Sequence, residues 1–459
     1  MKIGLISLGC PKNLVDSEVM LGFAQQAGHE ITHEARDADV LVVNTCAFID
    51  KAKKESIDTI LEMAEHKKFG RCKRLIVTGC MAERYRDELR TEIPEIDVVL
   101  GTGEVPDIVG ALSSHIVPLL RSDGQPITQL KQHRGASPLP TYIYDADTPR
   151  LLATPSHYAY IKIAEGCNYK CSFCIIPTLR GAYRSRAATS IIREAESLSN
   201  QGVKELLLIS QDTTYYGIDR NEKGALASLL GRLNSVESLE WIRLLYLYPT
   251  TINEKILEAI GTNQKVCRYI DLPLQHASDA VLRRMKRPGN RASYSRLLKQ
   301  IRMRLPGVAL RTTFIVGFPG ETDADINELV SFVREIEFDH VGVFTYSHEE
   351  DTTAHNLEDS VPEEIKNERR SKIMQLQQGI VQRRLKSRVG EQVQLIIDGT
   401  EKDQPLVVKA RLQSQAPEID SVVYLTDCDP SKFKAGDFIQ AKLIGTKDYD
   451  LLASPTTTF

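Results

Sequence analysis

Residues 158–177 read YAYIKIAEGCNYKCSFCIIP, and the fold turns on this stretch. Its first third, 158–163, is a short apolar run with aromatic and β-branched residues, broken by Glu165–Gly166, and predicts a buried strand. The remainder places Cys167, Cys171 and Cys174 in a C-x3-C-x2-C run on the loop that follows. The C-terminal ends of strands are where βα barrels keep their active sites. Downstream the same alternation recurs, with strands expected at 205–210, 241–247, 269–274, 309–316 and 340–345. Helix-like stretches follow, among them 189–200, 252–260 and 323–336. Six such units fall short of the eight that close a standard barrel, so residues 157–388 predict an open, partial (βα)6 barrel. A long charged helix over 362–388 ends it.

The flanking regions read differently. Within residues 1–112, apolar runs at 2–8, 40–44 and 74–78 are short enough for buried parallel strands. Helix-like stretches at 13–27, 49–67 and 82–89 follow them, and a fourth run at 97–100 leads into a further helix. This predicts an N-terminal parallel α/β domain. Residues 113–156 are rich in proline and read as a linker with a short hairpin at 141–144. Residues 389–459 carry β-type alternation at 393–397, 406–412, 422–426, 438–443 and 450–453, as in a small all-β barrel. The chain as a whole is α/β.

Composition narrows the function classes. The 459 residues exceed one hydrophobic core. With 42% hydrophobic and 26% charged residues the chain is neither disordered nor fibrous. Lys and Arg number 58 against 61 Asp and Glu, so whole-chain charge gives no nucleic-acid signal. No apolar run approaches a membrane span. The opening MKIGLISLGCPKN lacks the long apolar region of an export signal, so a cytoplasmic location is expected.

Nine cysteines are an odd number, which argues for metal or redox chemistry rather than a disulfide framework. Three thiols in one loop suit a compact metal site. A structural zinc normally takes four protein ligands, and so does an iron–sulfur cluster. Three cysteines therefore imply either a zinc site borrowing a distant ligand or a cluster with one iron open to another molecule. Cys10, Cys46 and Cys80 look unrelated by spacing but end IGLISLGC, VLVVNTC and LIVTGC, each just past a predicted strand. Neighbouring parallel strands lie ~4.8 Å apart, so these three thiols are expected along one sheet edge, in the crevice where α/β sheets bind ligands. One such cysteine would read as a buried small hydrophobe. Three at matching positions predict a second three-cysteine cluster. Cys72, Cys267 and Cys428 lack this placement and read as ordinary residues.

The run C-x3-C-x-aromatic-C after the first barrel strand resembles the radical S-adenosylmethionine (SAM) superfamily. That resemblance implies a [4Fe–4S] cluster on Cys167, Cys171 and Cys174 whose free iron chelates SAM. Phe173 takes the aromatic position, and RTTFIVGFPGET resembles the stretch bordering the SAM adenine, making Gly317, Gly320 and Glu321 candidates. Ser210, Gln211 and Asp212 stand where relatives contact the SAM amine with Gly-Gly-Glu. Gln211 is the candidate contact there. Two open clusters, IIPTLRGAYRSR and the order of the three domains together resemble the methylthiotransferase family, whose terminal barrel is called a TRAM domain. SLGCPKNLVDSE around Cys10 resembles the branch that modifies an aspartate of the twelfth small-subunit ribosomal protein. The resemblance implies two uses of SAM. One methylates a sulfur at the Cys10/Cys46/Cys80 cluster; the other, cleaved reductively, yields a 5′-deoxyadenosyl radical that opens an unactivated C–H bond. A cellular electron donor is implied as a partner, and transfer RNA is not an expected substrate. The alternatives are a transfer-RNA adenosine methylthiotransferase and a zinc-binding interaction protein without catalysis.

Other features read as structure. The RRMKR run at 283–287 and the helix over 363–388 fit solvated faces. Gln275 and His276 line the barrel mouth or form a packed polar pair. Residues 388–459 hold eight basic and eleven acidic side chains, an excess expected to repel RNA and attract a basic protein.

Overall fold

The computed structural model describes residues 1–113, 119–120, 126–127, 139–401, 404 and 406–456. They form two compact units. The first comprises Met1–Ala153 with Glu165–Asn168 and Ile175–Tyr183; the second comprises Thr154–Ala164, Tyr169–Cys174 and Arg184–Phe459.

The first unit is built on five parallel strands: β1 (Lys2–Ser7), β2 (Glu30–Thr32), β3 (Val40–Thr45), β4 (Arg74–Gly79) and β5 (Val98–Leu100). Their order is β2-β1-β3-β4-β5. Every residue of β3 is buried, as a Val/Leu run must be when helices cover both sheet faces. Helix Pro11–Gln26 begins directly after Cys10 with proline in its first turn, where the missing N–H would be unsatisfied anyway. The helix expected over 82–89 is instead two, Cys80–Arg84 and Arg86–Glu92, broken at Tyr85 (φ −127°, ψ 41°). Strand β2 escaped the sequence reading because three residues with Glu and Thr carry no apolar alternation.

Much of the proposed linker lies outside the described residues, and its end is not a free tether. Residues 139–153 belong to the first unit. The Arg150 Nε donates to Glu18 at 2.9 Å, and the Ala153 N–H donates to the same carboxylate at 2.8 Å. Glu18 is fully buried, so a paired cation is needed there. No strand forms at 141–144; the antiparallel pair is Leu119–Leu120 with Pro126–Ile127.

In the second unit six parallel strands follow: β6 (Tyr158–Lys162), β7 (Glu205–Ile209), β8 (Trp241–Leu244), β9 (Tyr269–Asp271), β10 (Ala309–Val316) and β11 (His340–Thr345). They pair as two three-stranded sheets, β6-β7-β8 and β9-β10-β11. The Leu247 N–H donates across to Asp271 O at 2.9 Å. This is the partial (βα)6 barrel. Helix Glu363–Ser387 leads to a closed five-stranded barrel of β12 (Gln392–Thr400), β13 (Val408–Arg411), β14 (Val423–Leu425), β15 (Phe438–Lys447) and β16 (Asp450–Pro455). Leu395, Ile397, Ala410, Leu443 and Leu451 fill its core.

This small barrel docks on the N-terminal ends of the larger barrel's strands through buried charge. Arg411 pairs with Glu205 at 2.7 Å and with Asp398 at 2.8 Å. Glu205 also pairs with Arg243 at 2.7 Å, and Arg243 donates to Gln413 O at 2.8 Å. Tyr158 donates to Glu418 at 2.8 Å and Tyr269 to Asp420 at 2.6 Å. His157 meets Asp398 at 2.8 Å. Removing one partner from such a network leaves an uncompensated buried charge, which costs roughly 3–5 kcal/mol. Arg411→Met is therefore expected to lower the unfolding free energy of the full chain by that amount, read as a lower denaturant midpoint. Lys409→Met, which breaks a half-exposed pair with Glu401 (3.1 Å), should cost under ~1 kcal/mol. Equal midpoints for the two variants would contradict the docking role.

Candidate functional site

Three strand ends of the first unit carry the dispersed cysteines. Cys10 follows β1, Cys46 follows β3 and Cys80 follows β4, and these three strands are neighbours in the sheet. Amide side chains lock the ends together. Asn13 Nδ2 donates to Leu8 O (3.0 Å) and Thr45 O (2.8 Å). Asn44 Nδ2 donates to Asn13 O and Ser17 Oγ, both at 2.8 Å. Thr45 Oγ1 donates to Thr78 O at 2.6 Å, and Ser56 holds both backbone groups of Cys46.

The three thiols differ in exposure: Cys10 is exposed, Cys46 half-buried and Cys80 buried. Burial pushes the Cys80 thiol up to about 12, against the opposing pull of Arg180. Burial also raises Cys46, with the Phe48 N–H working the other way. Cys10 and Cys46 act electrostatically on Cys80, so the set shares one neighbourhood. Arg180, 3% exposed, enters from helix Ile176–Arg180, another segment of the same unit. Burial opposes its charge, but Cys80, Glu165, Asp16 and Cys10 outweigh that, and the guanidinium stays protonated.

Glycine precedes two of these cysteines for steric reasons. A Cβ on Gly9 (φ +85°) would fall 3.0 Å from Cys46 Sγ. On Gly79 (φ +94°) it would fall 2.2 Å from Asn44 Oδ1 and 2.6 Å from Thr45 O.

The clustered cysteines divide between the units, Cys167 in the first and Cys171 and Cys174 in the second. In the first, the Cys167 N–H donates to Gly181 O at 3.1 Å. In the second, the Cys174 N–H donates to Cys171 O at 3.2 Å, closing a tight turn. Ser172 anchors that turn: its N–H donates to Met285 O (2.9 Å), its hydroxyl to Arg284 O (2.8 Å), and its carbonyl accepts from Ala354 N–H (2.7 Å). Phe173 packs with Val281, Met285, Phe318, Tyr346 and Ala354. The aromatic position thus fastens the loop to the barrel by apolar contact.

Sequence reasoning missed the cation beside Cys171. Arg287, the last residue of the RRMKR run, is 9% exposed and lies 3.7 Å from Cys171 Sγ, not on a solvated face. Its guanidinium stacks 4.0 Å over Tyr248, which stacks on Tyr169 at 3.9 Å. Tyr169 in turn donates to Asp212 at 2.8 Å. Burial raises the Asp212 carboxyl, although Thr214, Tyr169 and Thr251 hydrogen bonds oppose it. Asp212 caps the turn Thr213–Tyr215, while Gln211 stands half-buried at the end of β7. Gly317 turns the chain after β10: its N–H donates to Glu321 at 2.8 Å, and Lys366 carbons cover the place of a Cβ. Glu321 also takes Arg369 at 2.9 Å and meets His276 at 3.3 Å, all nearly or fully buried. His276 is therefore a packed polar group.

The donor sets bear on which metal species fits. Among the described residues, no three His, Cys, Asp or Glu side chains gather to hold a single metal ion. A four-iron cluster spreads its thiolates over separate irons, which suits cysteines on successive strand ends. Among the described residues no helix is long and apolar enough to cross a membrane.

Family models match three parts of the chain: Uncharacterized protein family UPF0004 at residues 2–101, the Radical SAM superfamily at 161–333 and the TRAM domain at 389–455. A protein of Solibacter usitatus named "Ribosomal protein uS12 methylthiotransferase RimO" is 47% identical, over 99% of this chain and 94% of that one. The protein of that name from Trichlorobacter lovleyi is 45% identical over 98% and 97%. The chain belongs to the RimO family. It is a radical SAM enzyme, and the cofactors of that superfamily are SAM and a [4Fe–4S] cluster. Among solved structures, the radical SAM methyltransferase TsrM from Kitasatospora setae superposes with TM-score 0.51 at 17% identity, covering 75% of this chain and 72% of that one. This likeness shows the shared fold.

The Gly79 geometry generates a cluster-independent prediction. Gly79→Ala combines a left-handed backbone with a clash against backbone and Asn44, and should cost at least about 1–3 kcal/mol. Gly110→Ala, in a helix with open space around it, should be neutral or stabilising in thermal unfolding.

Proposed function

We propose that this enzyme inserts a methylthio group at the β-carbon of an aspartyl residue of ribosomal protein uS12. Full-length likeness to enzymes of that name supports the substrate, and the observation carrying the chemistry is that Cys10, Cys46 and Cys80 end three neighbouring strands while a second three-cysteine run follows β6. Cys167, Cys171 and Cys174 would hold one cluster, and Cys10, Cys46 and Cys80 the other. Bound at these sites, the clusters and SAM supply radical and sulfur chemistry, which an unactivated carbon requires because it offers no acidic proton to a side-chain base. The chain's own residues then bind and orient. Arg287 sets a fixed positive charge beside Cys171, and the Tyr169–Tyr248 stack walls that side. Asn13 and Asn44 hold the other set's strand ends in register. Gln211 remains the proposed SAM contact, whereas Phe173 and Gly317 act through packing and turn geometry.

The C-terminal barrel bears on the choice between protein and RNA. Of the eleven acidic and eight basic residues in 388–459, Asp398, Glu418, Asp420 and Arg411 are taken up by docking. Eight acidic and seven basic remain. The expected attraction of a basic protein to an acidic barrel thereby loses its basis. No basic surplus for gripping phosphate emerges either, which supports a protein substrate over transfer RNA. A cellular electron donor completes the proposal.

Mass spectrometry of uS12 and transfer RNA from cells lacking this gene tests the substrate. The methylthio group is expected to vanish from uS12 and persist on transfer RNA; the reverse pattern contradicts the assignment. Two variants test the sites. Cys171→Ala should abolish 5′-deoxyadenosine formation. Cys46→Ala should still cleave SAM but yield no methylthiolated product, and normal product from it would remove the second-cluster assignment.

A further inference from the structure

Within the first unit, Arg180 occupies a position that the reaction scheme above does not use. It is the last residue of helix Ile176–Arg180, six positions beyond Cys174 in the chain. Thr102 Oγ1 donates to Leu179 O at 2.6 Å, and Ile175 and Leu179 pack in the core with Met81 and Ala82. The backbone that carries Arg180 is thus fixed by the same core that fixes Cys80. Its two terminal nitrogens face different partners. Nη1 donates to Asp16 at 2.6 Å and reaches Glu165 at 3.4 Å. Nη2 donates to Asn13 Oδ1 and lies 3.7 Å from Cys80 Sγ. Asn13 is the residue that binds the strand ends bearing Cys10 and Cys46.

The geometry points to Arg180 as a positioning residue for the cluster proposed at Cys10, Cys46 and Cys80: it fixes Cys80 through Asn13 and sets a permanent positive charge against the thiolate side. This rests on the two-cluster reading above. A doubly positive four-iron core bound by three thiolates carries a net negative charge, and hydrogen bonds and charge near its sulfurs set its reduction potential. A guanidinium fork on Cys80 would favour the reduced form. Lysine would keep the charge and lose the planar fork.

The test uses the full chain with Cys167, Cys171 and Cys174 all replaced by alanine, which leaves one cluster to observe. After anaerobic reconstitution this background should bind about four irons. Arg180→Met on the same background is expected to lower the midpoint potential in a redox titration followed by electron paramagnetic resonance, or to lower iron occupancy. Arg180→Lys should recover most of either loss. An unchanged midpoint and line shape at full occupancy in Arg180→Met would overturn the proposal, and so would equal losses in the methionine and lysine variants. A background protein that binds no iron would instead overturn the two-cluster reading itself, and this proposal with it.

Discussion

Parallel pairing is the constraint on which both candidate sites depend. In a parallel sheet every strand delivers its following loop to the same edge, so residues far apart in sequence meet there. Cys10, Cys46 and Cys80 are brought together by β1, β3 and β4 lying side by side. The loop bearing Cys167, Cys171 and Cys174 follows β6 at the corresponding end of the barrel strands. The cost of this arrangement is irregular backbone at the strand ends. The molecule meets it with Asn13, Asn44 and Thr45, which satisfy carbonyls from three loops, and with glycine at position 79, where no side chain fits.

The opposite end of the larger barrel is closed by different means. Glu205, Arg243 and Arg411 are each at most 1% exposed and form a chain of ion pairs between the two barrels. Such a network gives specificity of docking more than net stability, since desolvating each charge offsets much of the attraction. It keeps the cofactor end and the docking end of the strands chemically separate. One face carries cysteines, and the other carries tyrosines and carboxylates.

The strands were legible because they are short, mostly apolar or β-branched stretches bounded by turn residues. The expected 309–316 and 340–345 coincide with β10 and β11, and Cys10, Cys46 and Cys80 could be located at strand ends, and the second run on the loop after β6, from their flanking residues alone. The partners of those cysteines were not legible. Arg180 lies 167 positions from Asn13, and nothing local marks it as a neighbour. Arg287 was hidden in a basic run whose other members resemble a solvated face, and only the fold turns it toward Cys171. Likewise, charge counted over the last domain ignored which carboxylates the docking surface would bury. Phe173 and Gly317 sit within recognisable motifs, and the structure shows apolar packing at the first and a tight turn at the second. A motif locates a site more securely than it assigns a role to each of its letters.

The central claim is that one chain holds two three-cysteine iron–sulfur sites. Iron, acid-labile sulfide and zinc analysis of the anaerobically reconstituted full-length protein tests it most directly. About eight irons with matching sulfide per chain is the predicted result. Stoichiometric zinc without sulfide would contradict it.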